Sequence, residues 1–142
     1  EFGSDFGHVD FLEEAMAYDM DYCFQVMMYC IEDPAFISTL RRFEREHCRE
    51  FEDQEENKLC YTKIHNQYMH LIEMWIEGRM AQLIPDFSME TFLPELNDFI
   101  QSGAADRGDA KKVIDLLNSW ADFLSFKEMM LNSSKLVFAA IE

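Results

Sequence analysis

Nine apolar residues in the middle of the chain, Ile64, Tyr68, Leu71, Ile72, Trp75, Ile76, Met80, Leu83 and Ile84, follow one another in steps of 4, 3, 1, 3, 1, 4, 3 and 1. An α-helix returns its side chains to one face every three or four residues. The spacing therefore predicts a core-facing helix over about Thr62–Ile84, ended by Pro85. Upstream, Phe11, Leu12, Ala15 and Met16 share a face within residues 5–20, and Phe24, Met27, Met28 and Ile31 share one within about Tyr22–Glu32. Asp33 and Pro34 then suit the cap and first turn of a third helix. Phe36, Ile37, Leu40, Phe43 and His47 carry that helix to about Glu50.

Downstream, Ser88 is placed to N-cap a segment that buries Phe92, Leu96 and Phe99. Pro94 within it lacks a backbone donor and predicts a kink or a break. Gly103 is suited to end that helix, and "SGAADRG" (102–108) reads as a flexible loop. Val113, Ile114, Leu117 and Trp120 mark the next helix. "SFKE", Ser125 to Glu128, has the form of a capping box that opens a last helix through Met129 and Met130, with "KLVFAAI" its optional continuation. No strand alternation and no internal repeat appear. The expected fold is all-α, a compact bundle of six or seven helices around the long central one.

Length adds that 142 residues make one domain able to bury its own core. Residues 1–4, "EFGS", read as a cloning scar, 5–20 as an N-terminal extension, and 21–142 as a single helical domain. The formal charge of −16 is uneven: residues 1–56 hold 16 acids against 4 bases, and residues 57–142 hold 12 against 8. Such a field repels phosphate, so neither nucleic acid nor an anionic membrane is an expected partner, and a basic peptide or protein face is its complement. The four basic residues of the acidic half, Arg41, Arg42, Arg45 and Arg49, form a stripe on the third helix. No apolar run approaches the roughly 18 residues that span a bilayer. Cys23, Cys30, Cys48 and Cys60 form no C-x-x-C pair and follow no signal peptide, so free thiols in a soluble, intracellular protein are expected.

Candidate chemistry centres on Glu50, Glu52, Asp53, Glu55 and Glu56, which stand within seven positions ahead of the long helix. An EF-hand loop begun at Asp53 needs Gly sixth and Glu twelfth, where the sequence has Lys58 and Ile64. His47, Cys48, Cys60, His65 and His70 lack paired zinc-ligand spacing. There is no nucleophile elbow and no phosphate loop, and chance carboxylate pairs are expected among 28 acids. Metal, cofactor and enzyme activity are therefore not expected. The plain reading of the run is a solvated acidic turn whose carboxylates favour the positive end of the helix behind it.

The strings themselves are more particular. "EFEDQEENKLCYTKIHNQY", then "YMHLIEMWIEGRMAQLIPDFSMETF" and "LLNSWADFLSFKEMMLN", resemble the Binder-of-Arl-Two (BART) family, effectors of ADP-ribosylation-factor-like small GTPases. The resemblance covers about residues 22–132. It rests on Phe51, Glu52, Asp53, Glu55, Glu56, Asn57, Lys58, Leu59, Tyr61, Thr62 and Ile64, and on Asp122, Phe123, Leu124, Phe126, Lys127, Glu128 and Met129. It implies a compact all-α domain that binds the GTP form of its GTPase. A hydrophobic groove takes the GTPase's amphipathic N-terminal helix, and a second contact reaches the switch region. On that basis Leu59, Ile64, Tyr68, Phe92, Leu96, Leu117, Trp120 and Phe123 are candidate groove residues, with Glu52, Asp53, Glu55 and Glu56 as an acidic docking rim for the helix's lysines. Core packing is the competing role for each apolar candidate. The resemblance also implies a cytoplasmic protein, at the ciliary base or in mitochondria. The rival reading is a helical scaffold or dimerisation domain that binds a partner helix without nucleotide dependence. Pro94, the length of the 102–108 loop, and the segments 5–20 and 133–142 depart from the family pattern. Residues 5–20 could act as an internal mimic, with Phe11, Leu12 and Met16 occupying the groove.

Overall fold

The computed structural model describes residues 19–141, with side chains through Val137. All of its regular structure is helical: α1 Met20–Ile31, α2 Pro34–His47, a 3-10 turn Cys48–Glu50, α3 Leu59–Leu83, α4 Met89–Gln101, α5 Arg107–Ala121 and α6 Phe123–Ile141. The expected all-α bundle with a long central helix is what forms. Of the extension read at 5–20, residues 5–18, with the groove-mimic idea attached to Phe11, Leu12 and Met16, lie outside the described residues, and Asp19 and Met20 cap and open α1.

Short polar side chains start most of the helices, by accepting from backbone N–H groups that have no partner within the helix. Asp19 accepts from Tyr22 N at 3.3 Å, Asp33 from Ala35 N at 2.8 Å ahead of Pro34, Ser88 from Thr91 N at 3.5 Å and Asp106 from Asp109 N at 3.1 Å. α3 is the exception: Lys58 precedes it without a side-chain cap, and its first turn contains no acid. It starts at Leu59 rather than Thr62, and Phe51 and Glu52 of the loop ahead of it contact Tyr61 in its first turn. At the far end Ile84 is extended, as residues before proline are, and Asp86 turns the chain with φ of 56°.

Three local expectations change. Of the kink or break expected at Pro94, the break does not occur: α4 is continuous from Met89 to Gln101, with Pro94 on its exposed face. The capping box at Ser125 does not form. Asp122 ends α5 and caps α6, accepting from Ser125 N at 2.9 Å and Ser125 Oγ at 2.7 Å. These hydrogen bonds hold the Asp122 carboxyl below its ordinary range. Asp122 sits three residues before Ser125, the N-cap-to-N3 spacing that a cap needs. The loop after α4 is also shorter than predicted, since Arg107 and Gly108 belong to α5; Gly103, with φ of 80°, closes α4 as expected.

α3 runs through the middle and packs on α1, α2, α5 and α6. Tyr61, Tyr68, Ile72, Ile76 and Met80 on its inner face are at most 1% exposed, against Phe36, Phe92, Leu96, Val113, Phe126 and Met130 from its neighbours. Burying each such side chain contributes about 1.5–3 kcal/mol. Cys23, Cys30, Cys48 and Cys60 are all free thiols, and burial raises the pKa of the first three, which makes them poor nucleophiles. Among the described residues no helix is long and apolar enough to cross a membrane, and no group of His, Cys, Asp and Glu is arranged to hold a metal ion.

Candidate functional site

The turn at Asp122 folds α6 back beside α5, and α2 lies across from both. Between the three helices runs an open groove of about 1020 Å³. Phe36, Ile37, Leu40, Arg41 and Glu44 line it from α2, Lys112, Asp115, Leu116, Asn118 and Ser119 from α5, and Glu128, Met129, Asn132, Ser133 and Leu136 from α6. Ile31 and Glu32 stand at the end of α1, and Tyr68 of α3 lies beneath. Buried residues such as Phe36, Leu40 and Tyr68 form its floor, and more exposed ones stand along its edges. Ile37 is 41% exposed and Leu136 is 71% exposed.

The groove's polar groups are largely paired. Lys112 donates to Glu32 at 2.7 Å, which raises the lysine's pKa, and Arg41 donates to Glu44 at 2.7 Å. Tyr68 Oη lies 3.1 Å from Ser119 Oγ. Burial pushes the Tyr68 phenol up to about 12, with the Ser119 hydrogen bond opposing, so it is neutral at physiological pH. Apolar side chains from the three helices stand between these polar groups.

A second region forms where the two sequence motifs meet. Phe51 stacks on Tyr61 at 4.4 Å between centroids and meets Phe126 edge-on at 5.7 Å. Lys127, only 8% exposed, donates to the Gln54 carbonyl at 2.5 Å and Asn57 Oδ1 at 2.7 Å, and lies 5.6 Å over the Tyr61 ring. Glu52 N donates to Tyr61 Oη at 3.0 Å, and the Glu52 carboxylate pairs with Lys58. His65 Nε2 donates to the Trp120 carbonyl at 2.9 Å and the ring stacks on Phe126 at 4.6 Å. The loop thus offers a backbone carbonyl and an amide oxygen to a nearly buried lysine, while its carboxylates stay exposed.

Of the residues singled out from the sequence, Tyr68 lines the groove. Phe92 and Leu96 are wholly buried in the core through α4, and Ile64 and Trp120 are buried near the motif junction. Leu117 and Phe123 are half-buried against the core, Phe123 beside His65. Leu59 is 73% exposed at the start of α3, next to the exposed Glu52, Asp53, Glu55 and Glu56. The α2 residues Ile37 and Leu40, together with Leu116, Met129 and Leu136, were not singled out. Their periodicity marks an apolar face but not how much of it the core covers.

The family described as the ARF-like 2 binding protein BART matches residues 19–136. The chain is 42% identical over 102 residues to the ADP-ribosylation factor-like protein 2-binding protein of Gallus gallus, which covers 72% of this chain and 62% of that one. Against the proteins of the same name from Mus musculus and Homo sapiens the identities are 38% over 113 residues and 41% over 102. Those matches cover 77% and 72% of this chain, and 66% and 59% of theirs. The chain therefore spans about three fifths to two thirds of the length of these relatives. The match extends from the cap of α1 to the groove-lining end of α6, and the chain belongs to the ARF-like 2 binding protein BART family.

Proposed function

We propose that this chain is a non-enzymatic effector that binds an Arf-like small GTPase in its GTP form. The GTPase's amphipathic N-terminal helix lies in the groove between α2, α5 and α6. The observation that carries the reading is the groove itself: an open channel walled by three helices, with the apolar side chains of Ile37 and Leu136 exposed at its edges. Helix-in-groove recognition needs such a surface. The names of the relatives, which state binding to ADP-ribosylation factor-like protein 2, supply the partner class. Three or four leucine-sized anchors at about 1.5–3 kcal/mol each, less the association cost, correspond to micromolar to nanomolar affinity. Glu52, Asp53, Glu55 and Glu56 serve as the acidic docking rim for the helix's lysines, from the exposed loop ahead of α3 rather than from among the groove's lining residues.

Binding to ADP-ribosylation factor-like protein 2, loaded with a non-hydrolysable GTP analogue or with GDP, tests the reading. Tight binding to the GTP form alone, lost when the GTPase's N-terminal helix is removed, is the expected result. Equal binding in both states would replace the effector with a helical scaffold, because nucleotide discrimination requires a contact that differs between the states.

A further inference from the structure

The groove's apolar side chains are interspersed with polar ones from all three helices, among them Asp115, Asn118, Glu128 and Asn132. Glu44 differs from these in being buried, the one buried carboxylate among the described residues, with 7% exposure. Its Oε1 accepts from Ser133 Oγ at 2.8 Å, across from α6, and its Oε2 accepts from Arg41 Nη1 at 2.7 Å, one turn back on α2. The Arg41 side chain is 60% exposed and lines the groove as well.

Counting donors against acceptors shows what an occupant must bring. An ionised carboxylate has about four acceptor sites. Ser133 and Arg41 use two, at a residue that lines the groove. A helix laid over this wall removes water from Glu44 and from the exposed Arg41. A face made wholly of leucine returns nothing, and an acceptor buried without its donor weakens binding. The sign of charge then decides among polar residues. Arg41 already balances Glu44, so a lysine on the helix meets the guanidinium's repulsion and a glutamate meets the carboxylate's. A neutral donor meets neither.

We infer that Glu44 is a specificity-determining residue of the groove, selecting a docking helix whose apolar face is interrupted by one neutral hydrogen-bond donor: Ser, Thr, Asn or Gln. The inference rests on the groove reading above and adds the chemistry of one position on the occupant.

Fluorescence anisotropy with lysine–leucine amphipathic peptides of about 16 residues tests it. Each apolar-face leucine is replaced in turn by Ser, Lys or Glu. The peptides are titrated with the wild-type chain, Glu44→Leu and Glu44→Gln, each checked for folding by circular dichroism and thermal melting. At one position the Ser peptide binds wild type about tenfold more tightly than the all-leucine parent, and more tightly than the Lys or Glu peptides. In Glu44→Leu that preference falls to about twofold or less. Glu44→Gln keeps the side-chain shape and reports a reduced preference even if the leucine variant does not fold. Tightest binding to wild type by the parent or by a Lys or Glu peptide, or a Ser preference unchanged in Glu44→Gln, overturns the inference and leaves the groove reading standing. No saturable binding by any peptide, parent included, overturns both.

Discussion

α6 serves two regions built on opposite principles. At the motif junction its Phe126 and Lys127 are almost fully enclosed, the first at 0% and the second at 8% exposure, and ring faces, carbonyls and an amide surround them. One residue later the helix turns Glu128 and Met129 toward the groove, whose edges Ile37 and Leu136 stay open to solvent. The junction has satisfied its own chemistry; the groove has left apolar surface unsatisfied. Self-complementary regions hold a fold together, whereas a region that remains incomplete is where a partner gains free energy.

Substitutions can break this contrast. The largest effect is expected from Phe126→Ala, which removes a fully buried ring in contact with Phe51, His65 and Tyr68. It should destabilise the chain by about 3–5 kcal/mol in urea titration. A loss under 1 kcal/mol would mean that the junction is looser than its geometry. Lys127→Met keeps the aliphatic stem and strands the Gln54 carbonyl and Asn57 amide oxygen. A loss of about 1–3 kcal/mol is expected, with faster hydrogen exchange confined to residues 52–58.

Asp122→Ala removes the cap that positions α6 for both regions and should lower the melting temperature at neutral pH. The wild-type carboxyl is held below its ordinary range, so its contribution is present above the unfolded pKa of about 3.9 and is lost as pH falls through the folded value. The two melting curves should therefore converge in acid, and a gap that persists at pH 2 would assign the effect to packing. The smallest stability change, about 0.5 kcal/mol or less, is expected for Ile37→Glu, because Ile37 is 41% exposed. The same variant should weaken GTPase binding about tenfold or more by placing a charge on the groove's edge. Unchanged affinity would move the docking site elsewhere.

Legibility in the sequence divides along the same line. Helices and caps were readable wherever a local rule governs them: the 3–4 spacing of α3, Asp33 ahead of Pro34, Ser88, and Gly103 in its positive-φ turn. The misread cap at Asp122 shows how such rules compete. "SFKE" fits a capping box, but Asp122 offers a stronger acceptor at the correct spacing, and the helix begins already at Phe123. The site was less legible. Phe92 and Leu96, four apart, and Ile37 and Leu40, three apart, each share a helical face, yet the first pair is wholly buried and the second lines the groove.

By itself, then, the sequence determined the all-α class, the order of the helices, and the two strings that mark the family, because periodicity, caps and contiguous motifs are properties of neighbours along the chain. Only the tertiary structure decided that those two strings pack on each other around Lys127, and that α2, α5 and α6 leave a channel with Glu44 in its wall. An amphipathic pattern says that a face will be covered. Which helix covers it, and what is left uncovered, depends on how the helices cross.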